Sequence, residues 1–277
     1  MGLKEGSDDS LSKISFNLSP SSLNVFMKNP LLFYLQYIAK VPDDTKVPAC
    51  YGLSGNLVHA CLEKYANGEL DRDQACLLFA RKWEDLNLDI HKDIKGEALN
   101  REEYLNALLK GMGVVENHEK HICEETISFP FMENDVMKIG LKGIIDLQAR
   151  NKGNGEKVII DYKTSNSLSQ TKEFERQALF YNYLLYKKKN FLPDKTCFHY
   201  LKLGVEKSYS FSQEDIELFE EELKAVAEDI LSYGTDIGKY PAGEINDLFN
   251  SKKQACLREL SRRNYFENPE RFVQMSL

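Results

Sequence analysis

The chain has 277 residues, of which 42% are hydrophobic and 29% charged, a balance typical of a globular protein with a full hydrophobic core. It has no apolar run of the roughly 20 residues that a membrane-spanning helix needs and no apolar signal-peptide core, so we expect no membrane partner and a cytoplasmic protein, or a nuclear or host-cytoplasmic one if viral. The net charge of −7 gives no global indication of a nucleic-acid-binding protein, although the local field in a cleft can differ from the average.

The first half of the sequence has helical spacing. Ser/Pro capping residues in "NLSPSSLNVFMKNPLLFYLQYIA" predict two short helices on either side of Asn29 and Pro30. An amphipathic helix is predicted over 55–66, and two further helices over about 71–87 and 100–120.

The pattern then changes to a period of two. "CEETISFPFMENDVMKIGLKGIIDLQAR" predicts two strands joined at Glu133 and Asn134, and "NKGNGE" predicts a hairpin turn into "KVIIDYKT". The expected result is a three-stranded antiparallel meander. A strong helix in "QTKEFERQALFYNYLLYKKK", two more strands, a helix over about 213–233 and a helical C-terminal region complete the chain.

No internal repeat, low-complexity tract or linker divides this sequence. We therefore predict a mobile polar tail at 1–13 and a single domain at 14–277. Within that domain we expect a helical portion at 14–120, a sheet with its following helix at 121–212, and C-terminal helices at 213–277.

Two aspartates and a lysine interrupt the apolar strands of the predicted hairpin. Side chains alternate along a strand, so Asp161 and Lys163 share a face and Tyr162 points to the other. A turn centred on 151–155 brings Asp146 close to Asp161 across the ladder. Two carboxylates so close together repel each other, and a divalent cation such as Mg²⁺ removes the conflict.

Lys163 beside such a metal can orient or deprotonate an attacking water and neutralise charge that develops on a phosphoryl group. This is the equipment of phosphodiester hydrolysis. The alternative is a surface salt bridge between Asp161 and Lys163, which is common and weak.

Other candidate residues lie on the flanking helices. Gln177 and Tyr181 are spaced i, i+4 on the helix that follows the Lys163 strand, so both project toward the end of that strand. His59 lies inside an amphipathic helix, where a histidine is more often a core residue than a metal ligand, and both interpretations stay open. Glu63, one turn later, can orient the imidazole or hold a metal-bound water, or simply be solvated.

The order of these short motifs resembles the PD-(D/E)xK nuclease superfamily, specifically its RecB-like exonuclease branch, which includes CRISPR adaptation nucleases and phage recombination exonucleases. The matching segments are "GNLVH" (Gly55 and His59), "GIID" (Gly143 and Asp146), "DYK" (Asp161 and Lys163) and "QALFY" (Gln177 and Tyr181). "LSPSSLNVFMKNPLLFYLQYI" also resembles the opening helical motif of the branch. The resemblance spans about residues 19–200.

The resemblance implies an α/β fold: a central mixed β-sheet with an antiparallel meander, flanked by helices as in restriction endonucleases, plus an N-terminal helical portion. It implies that Asp146 and Asp161 bind Mg²⁺ or Mn²⁺ together with His59 and the backbone carbonyl of Tyr162. Lys163 would position the nucleophilic water.

The resemblance also gives roles to the last helix motif. Gln177 would support Lys163 or contact substrate. Tyr181 would reach a phosphate or stack on a base, although its position on the apolar stripe of the helix makes core packing an equal alternative.

One departure from the branch concerns cysteine. Many relatives have a cysteine just before the proline of the opening motif and three more near the C-terminus, which bind a [4Fe–4S] cluster. Here the first position is Asn29, and the C-terminal region has only Cys256. Because a cluster needs about four thiolates, we predict no iron–sulfur cluster.

These features predict a divalent-metal-dependent DNA nuclease. The resemblance to the branch favours an exonuclease that hydrolyses phosphodiester bonds from single- or double-stranded DNA ends in recombination, repair or replication. A helicase, an annealase or a second copy of the chain is a possible partner. The alternative is a catalytically silent nucleic-acid-binding or scaffold member of the same fold, and an RNA-directed nuclease is a third possibility.

Overall fold

The computed structural model describes residues 13–44, 50–93, 96–168, 171–243 and 252–263. Its strands are β1 (Ile14–Leu18), β2 (His118–Glu133), β3 (Met137–Asn151), β4 (Lys157–Lys163), β5 (Lys195–Tyr200) and β6 (Val205–Tyr209). Its helices are α1 (Pro20–Lys28), α2 (Pro30–Phe33), α3 (Cys50–Ala66), α4 (Arg72–Asp85), α5 (Arg101–Glu116), α6 (Thr171–Lys189), α7 (Gln213–Tyr233) and α8 (Lys253–Arg262). Within these ranges, no helix is long and apolar enough to cross a membrane.

Local chemistry explains several element boundaries. The hydroxyl of Ser19 accepts the backbone N–H of Ser22, which caps the start of α1. Asn29 ends α1 and caps α2 by accepting the N–H of Leu32 at 3.0 Å, so the predicted break at Asn29 and Pro30 is confirmed. A single π-helical turn, Tyr34–Ile38, follows α2.

Three elements differ from the prediction. Strand β1 was not expected, because its five residues alternate too briefly to identify a strand without its partner. Helix α3 begins at Cys50, five residues before the predicted start, and α5 ends at Glu116 because β2 already begins at His118. The predicted mobile tail falls almost wholly outside the described residues.

The six strands form one mixed sheet, in the order β1-β3-β4-β5-β6 with β2 on the other side of β3. Strands β2, β3 and β4 form the predicted antiparallel meander, which is confirmed, whereas β1 with β3 and β4 with β5 are parallel pairs. One edge of β3 pairs with β1 over residues 137–141 and with β4 over residues 147–150. The segment between these ladders contains Asp146.

Helices cover the two faces of the sheet unequally. Helices α1, α6 and α7 pack on one face and bury a cluster that includes Ile139, Leu141 and Ile159. Helices α3, α4 and α5 pack on the other face and bury a second cluster around Trp83, Tyr104, the second half of β3 and one face of β4. The α/β fold with a mixed central sheet flanked by helices is therefore confirmed.

Candidate metal centre and catalytic cluster

Strand β3 changes face at Asp146. Ile145 packs in the cluster under α6, and Leu147, two residues later, packs in the cluster under α3. In a regular strand these two side chains would point the same way. The irregularity leaves Asp146 at the point where β3 passes from its ladder with β1 to its ladder with β4.

Strand β2 changes face at the neighbouring position, Glu124. Cys123 packs on the α3 side, whereas the Glu125 carboxylate contacts Lys189 of α6 at 2.5 Å. Glu124 itself has a φ of +47°, a left-handed conformation that non-glycine residues adopt rarely and that clusters at functional sites. Because Cys123 and Glu125 pair with Leu147 and Ile145, Glu124 lies opposite Asp146.

Helix α3 places His59 over this pair. The Nδ1 atom of His59 lies 3.3 Å from Asp146 Oδ2, and the same oxygen accepts the backbone N–H of Tyr162 at 2.8 Å. The imidazole stands edge-on to the Tyr162 ring, with 6.0 Å between the ring centroids. The His59 side chain is 27% exposed, so part of it is accessible from the site.

Two glycines of the sequence motifs allow this approach. A β-carbon at Gly55 in α3 would lie 2.9 Å from Thr164 Oγ1, directly after β4. A β-carbon at Gly143 in β3 would lie 2.6 Å from Leu184 Cδ1 of α6. Both helices therefore approach the site strands more closely than a larger residue would permit.

His59, Glu124 and Asp146 can together hold a metal ion, since each offers a ligand atom and these atoms lie within 4.8 Å of one another. Two carboxylate oxygens and one imidazole nitrogen form a donor set that suits a divalent cation. Glu63 makes a smaller electrostatic contribution to the raised pKa of Glu124 than burial and Asp146 do, and it is not one of the three grouped ligand residues.

The pKa values of His59, Glu124 and Asp146 depend on one another. Burial opposes the charged form of His59, but the carboxylates of Asp146, Asp161 and Glu124 together outweigh it and raise the pKa of His59 to about 9. Burial and then the charge of Asp146 raise the pKa of Glu124 to about 7. Burial would raise the pKa of Asp146 too, yet His59 and the Tyr162 N–H together bring that pKa below its usual value. A bound cation would replace the His59 proton in compensating both carboxylates.

A second cluster adjoins the first at the end of β4. Lys163 Nζ lies 2.6 Å from Asp161 Oδ1 and donates to Gln177 Oε1 at 3.0 Å. Gln177 Nε2 donates to Asp161 Oδ2 at 2.8 Å and to the hydroxyl oxygen of Tyr181 at 2.7 Å. Gln177 thus links the carboxylate, the ammonium and the phenol.

Asp161 has unused capacity to bind a cation. The residue is 3% exposed, and its Oδ1 atom accepts no well-oriented hydrogen bond within the described parts of the chain, even though Lys163 lies against it. Burial, opposed by Lys163 and reinforced by Asp146, raises the pKa of Asp161 to about 6. A buried carboxylate oxygen whose one close partner among the described residues is an ammonium group can also bind a cation.

Aromatic rings hold the lysine in place. Lys163 Nζ lies 4.8 Å from the centroid of Phe174 and 5.1 Å from that of Phe198, within the range of cation–π attraction. Tyr181 is buried, and burial followed by the charge of Asp161 raises its pKa well above the ordinary value. Its ring packs in the core, as the core-packing alternative predicted, while its hydroxyl oxygen accepts from Gln177.

The seven site residues named from sequence lie in these two adjoining clusters: His59, Asp146, Asp161, Tyr162, Lys163, Gln177 and Tyr181. The three-residue metal group contains Glu124 in place of Asp161. Sequence reasoning missed Glu124, whose signal was only a charged pair in the strand segment "CEETI". Asn29 is a helix cap, and Cys256 is buried beside Leu31 and Leu260.

Comparison with known proteins defines the class. The family model of the PD-(D/E)XK nuclease superfamily matches residues 17–244, so the chain belongs to that superfamily. No curated protein matches the chain. Among solved structures, SSO0001 has 15% sequence identity and a TM-score of 0.32, covering 76% of this chain and 85% of its own.

Proposed function

We propose that this protein is a Mg²⁺- or Mn²⁺-dependent deoxyribonuclease of the RecB-like branch, which hydrolyses phosphodiester bonds from DNA ends. The observation that carries the proposal is the junction of two clusters. A candidate metal group of one imidazole and two carboxylates adjoins a buried Asp161, Lys163 and Gln177 network. Superfamily membership supports a nuclease that uses a divalent metal.

The roles follow from the chemistry of each group. His59, Glu124 and Asp146, with Asp161 beside them, would hold the cation, which supplies Lewis acidity toward the phosphoryl oxygens. Lys163 would orient the attacking water and compensate the charge that develops on the phosphate. Gln177 would fix the direction of the Lys163 ammonium through its 3.0 Å hydrogen bond.

The catalytic proposal can be tested with end-labelled single- and double-stranded DNA, incubated with Mg²⁺ or Mn²⁺ and with or without chelator. Wild type is compared with Lys163→Ala and with Lys157→Ala. Lys157 lies on the same strand six residues earlier and contacts Phe191 rather than the site. We expect cleavage by wild type and by Lys157→Ala, and loss of about 10²- to 10³-fold with Lys163→Ala.

The same assay separates the alternatives. A wild type that leaves both substrates intact with either metal would refute the enzyme and favour the silent scaffold. Closed circular single-stranded DNA tests the exonuclease proposal, because an exonuclease leaves a circle uncut. A parallel RNA substrate tests for an RNA-directed nuclease. Recombination, repair or replication would be the setting for DNA-end hydrolysis, with a helicase, an annealase or a second copy as partner.

A further inference from the structure

Among the described residues, part of one sheet face next to the metal centre is exposed. In the first half of β3, Met137, Ile139 and Leu141 are buried under the α6 layer, while Lys138 and Lys142, which have the opposite parity along the strand, are exposed on the other side. Helices α3, α4 and α5 pack over the second half of β3, and no helix of the described ranges covers the first half on this side. The open surface therefore begins where the candidate metal site ends.

The neighbouring strand extends this surface sideways. Thr126 of β2 pairs with Ile144, and Ser128 pairs with Lys142. All four side chains are exposed. We call the surface formed by Thr126, Ser128, Lys138, Lys142 and Ile144 the open strand face.

The open strand face has a regular spacing along β3. Lys138, Lys142 and Asp146 follow each other every four residues, so the two lysine Cα atoms lie about 26 Å and about 13 Å from that of Asp146 at roughly 3.3 Å per residue. A DNA strand in B-form geometry has one phosphate per about 3.4 Å of helix axis, so the longer distance spans about eight phosphates. The face is long enough for several nucleotides.

The chemistry of the face fits a phosphodiester backbone. Neither Lys138 nor Lys142 forms an ion pair with a carboxylate in the described part of the chain, although ion pairs occupy many other lysines of this acidic protein. The hydroxyls of Thr126 and Ser128 add hydrogen-bond donors for phosphate oxygens. Ile144, 43% exposed between Lys142 and Asp146, offers an apolar surface to a base or sugar.

We propose that the open strand face carries the DNA strand to the metal centre, with Lys142 binding a phosphate near the scissile bond and Lys138 binding one farther along. This inference rests on the proposed nuclease function. The proposal adds a path for the substrate on one side of the sheet. It also assigns phosphate binding to Lys138 and Lys142, which lie outside both site clusters.

Binding is tested first, without cleavage. A fluorescent 12-nucleotide single strand is titrated with the Lys163→Ala protein and with the same protein carrying Lys138→Ala and Lys142→Ala, from 50 to 200 mM salt. Loss of two phosphate contacts should reduce the slope of log affinity against log salt by about 1.4. The ratio of the two proteins' affinities for the strand should therefore fall by about sevenfold between 50 and 200 mM salt. An unchanged slope overturns the proposal.

Lys157→Ala is the matched control. Lys157 precedes Asp161 by four residues on β4, as Lys142 precedes Asp146 on β3, but it lies over the Phe191 ring at the far end of the sheet. Its substitution should leave the salt slope unchanged. If Lys157→Ala reduced the salt slope as much as the two open-face substitutions, the DNA would be attracted to surface charge in general, and the proposal would also be overturned.

Cleavage then separates this proposal from the proposed function. The Lys138→Ala, Lys142→Ala protein should hydrolyse the 12-mer about tenfold less efficiently than wild type, but hydrolyse bis(p-nitrophenyl) phosphate equally well, since that diester cannot reach either lysine. Equal 12-mer cleavage by both proteins rejects the open strand face alone. If wild type cleaves neither substrate, the nuclease proposal fails, and the salt dependence of binding still decides whether this face binds DNA.

Discussion

Gly55 lies against Thr164, since a β-carbon on this α3 residue would come within 2.9 Å of the threonine Oγ1 atom. Thr164 directly follows β4, which carries Asp161 and Lys163. One helical turn after Gly55, His59 reaches Asp146. The closeness of helix and strand end therefore sets the distance between the imidazole and the carboxylates.

Gly55→Ala should reduce metal-dependent cleavage about tenfold, because α3 or Thr164 must shift and His59 moves with the helix. Gly52→Ala is the control in the same helix, since a β-carbon there meets nothing within 4 Å. Replacing that glycine should stabilise the protein by up to about 1 kcal/mol through helix propensity. Urea unfolding and cleavage rates measure both effects, and equal behaviour of the two variants would contradict this role of Gly55.

Glu124→Gln should make the metal-free protein more stable at pH 8 and leave it unchanged near pH 4.5. The folded state raises the pKa of Glu124 from 4.5 to about 7, so the wild type has its full stability below pH 4.5 and loses part of it as the pH rises through 7. Glutamine removes that loss. After allowance for solvent screening we expect a gain of about 1–2 kcal/mol at pH 8, measured by chemical unfolding in chelator.

A divalent cation should reverse the order of stability of wild type and Glu124→Gln. At pH 8, Mn²⁺ should raise the melting temperature of wild type more than that of Glu124→Gln, because the cation compensates a charge that only the carboxylate carries. Equal stabilisation of both proteins by Mn²⁺ would exclude Glu124 as a ligand.

Local patterns predicted the meander and the positions of Asp146, Asp161 and Lys163, because strand alternation and turn residues determine which side chains share a face. Glu124 could not be predicted in this way. A register shift between Pro130 and Met132 moves the pairing of β2 against β3, and the left-handed backbone at Glu124 then reverses the strand face. Pro130 is a sequence signal of the register shift, because proline in a strand is typical of a bulge, but the left-handed backbone at Glu124 has no glycine or turn residue to indicate it.

Strand β1 shows the same limit. Its partner, β3, lies more than a hundred residues away, and the parallel pairing from Ile14 to Leu18 depends on that tertiary contact. The Gly55 and Gly143 positions were apparent as parts of motifs, but the reason for glycine became clear only from the packing of α3 and α6.

Gln177→Ala should lower kcat by about 10- to 100-fold with a smaller change in KM, because it frees the Lys163 ammonium and removes one donor from Asp161. If Gln177 acts through Lys163, the double variant Gln177→Ala, Lys163→Ala should be no slower than Lys163→Ala alone. Additive losses in this double-mutant cycle would show that Gln177 acts independently of Lys163, through Asp161 or through the substrate.

His59→Ala should weaken metal binding, and it should cost little thermal stability only above about pH 9, where the pairing with Asp146 no longer contributes. The side chain is 27% exposed and its one close polar partner in the described residues is Asp146, so its removal leaves no large cavity. We expect the Mn²⁺ concentration that gives half-maximal cleavage to rise about 10- to 100-fold, with activity recovered at high Mn²⁺.

The pH dependence of unfolding provides a second test of His59. Because the pKa of His59 is raised from 6.5 to about 9 in the folded, metal-free protein, its pairing with Asp146 stabilises fully below pH 6.5 and is lost as the pH rises through 9. His59→Ala should therefore flatten the fall in stability between those pH values, measured by urea unfolding in chelator. A large loss of melting temperature at every pH, with unchanged Mn²⁺ dependence of cleavage, would instead identify His59 as a packing residue. A core residue controls the melting temperature, whereas a metal ligand controls the Mn²⁺ dependence.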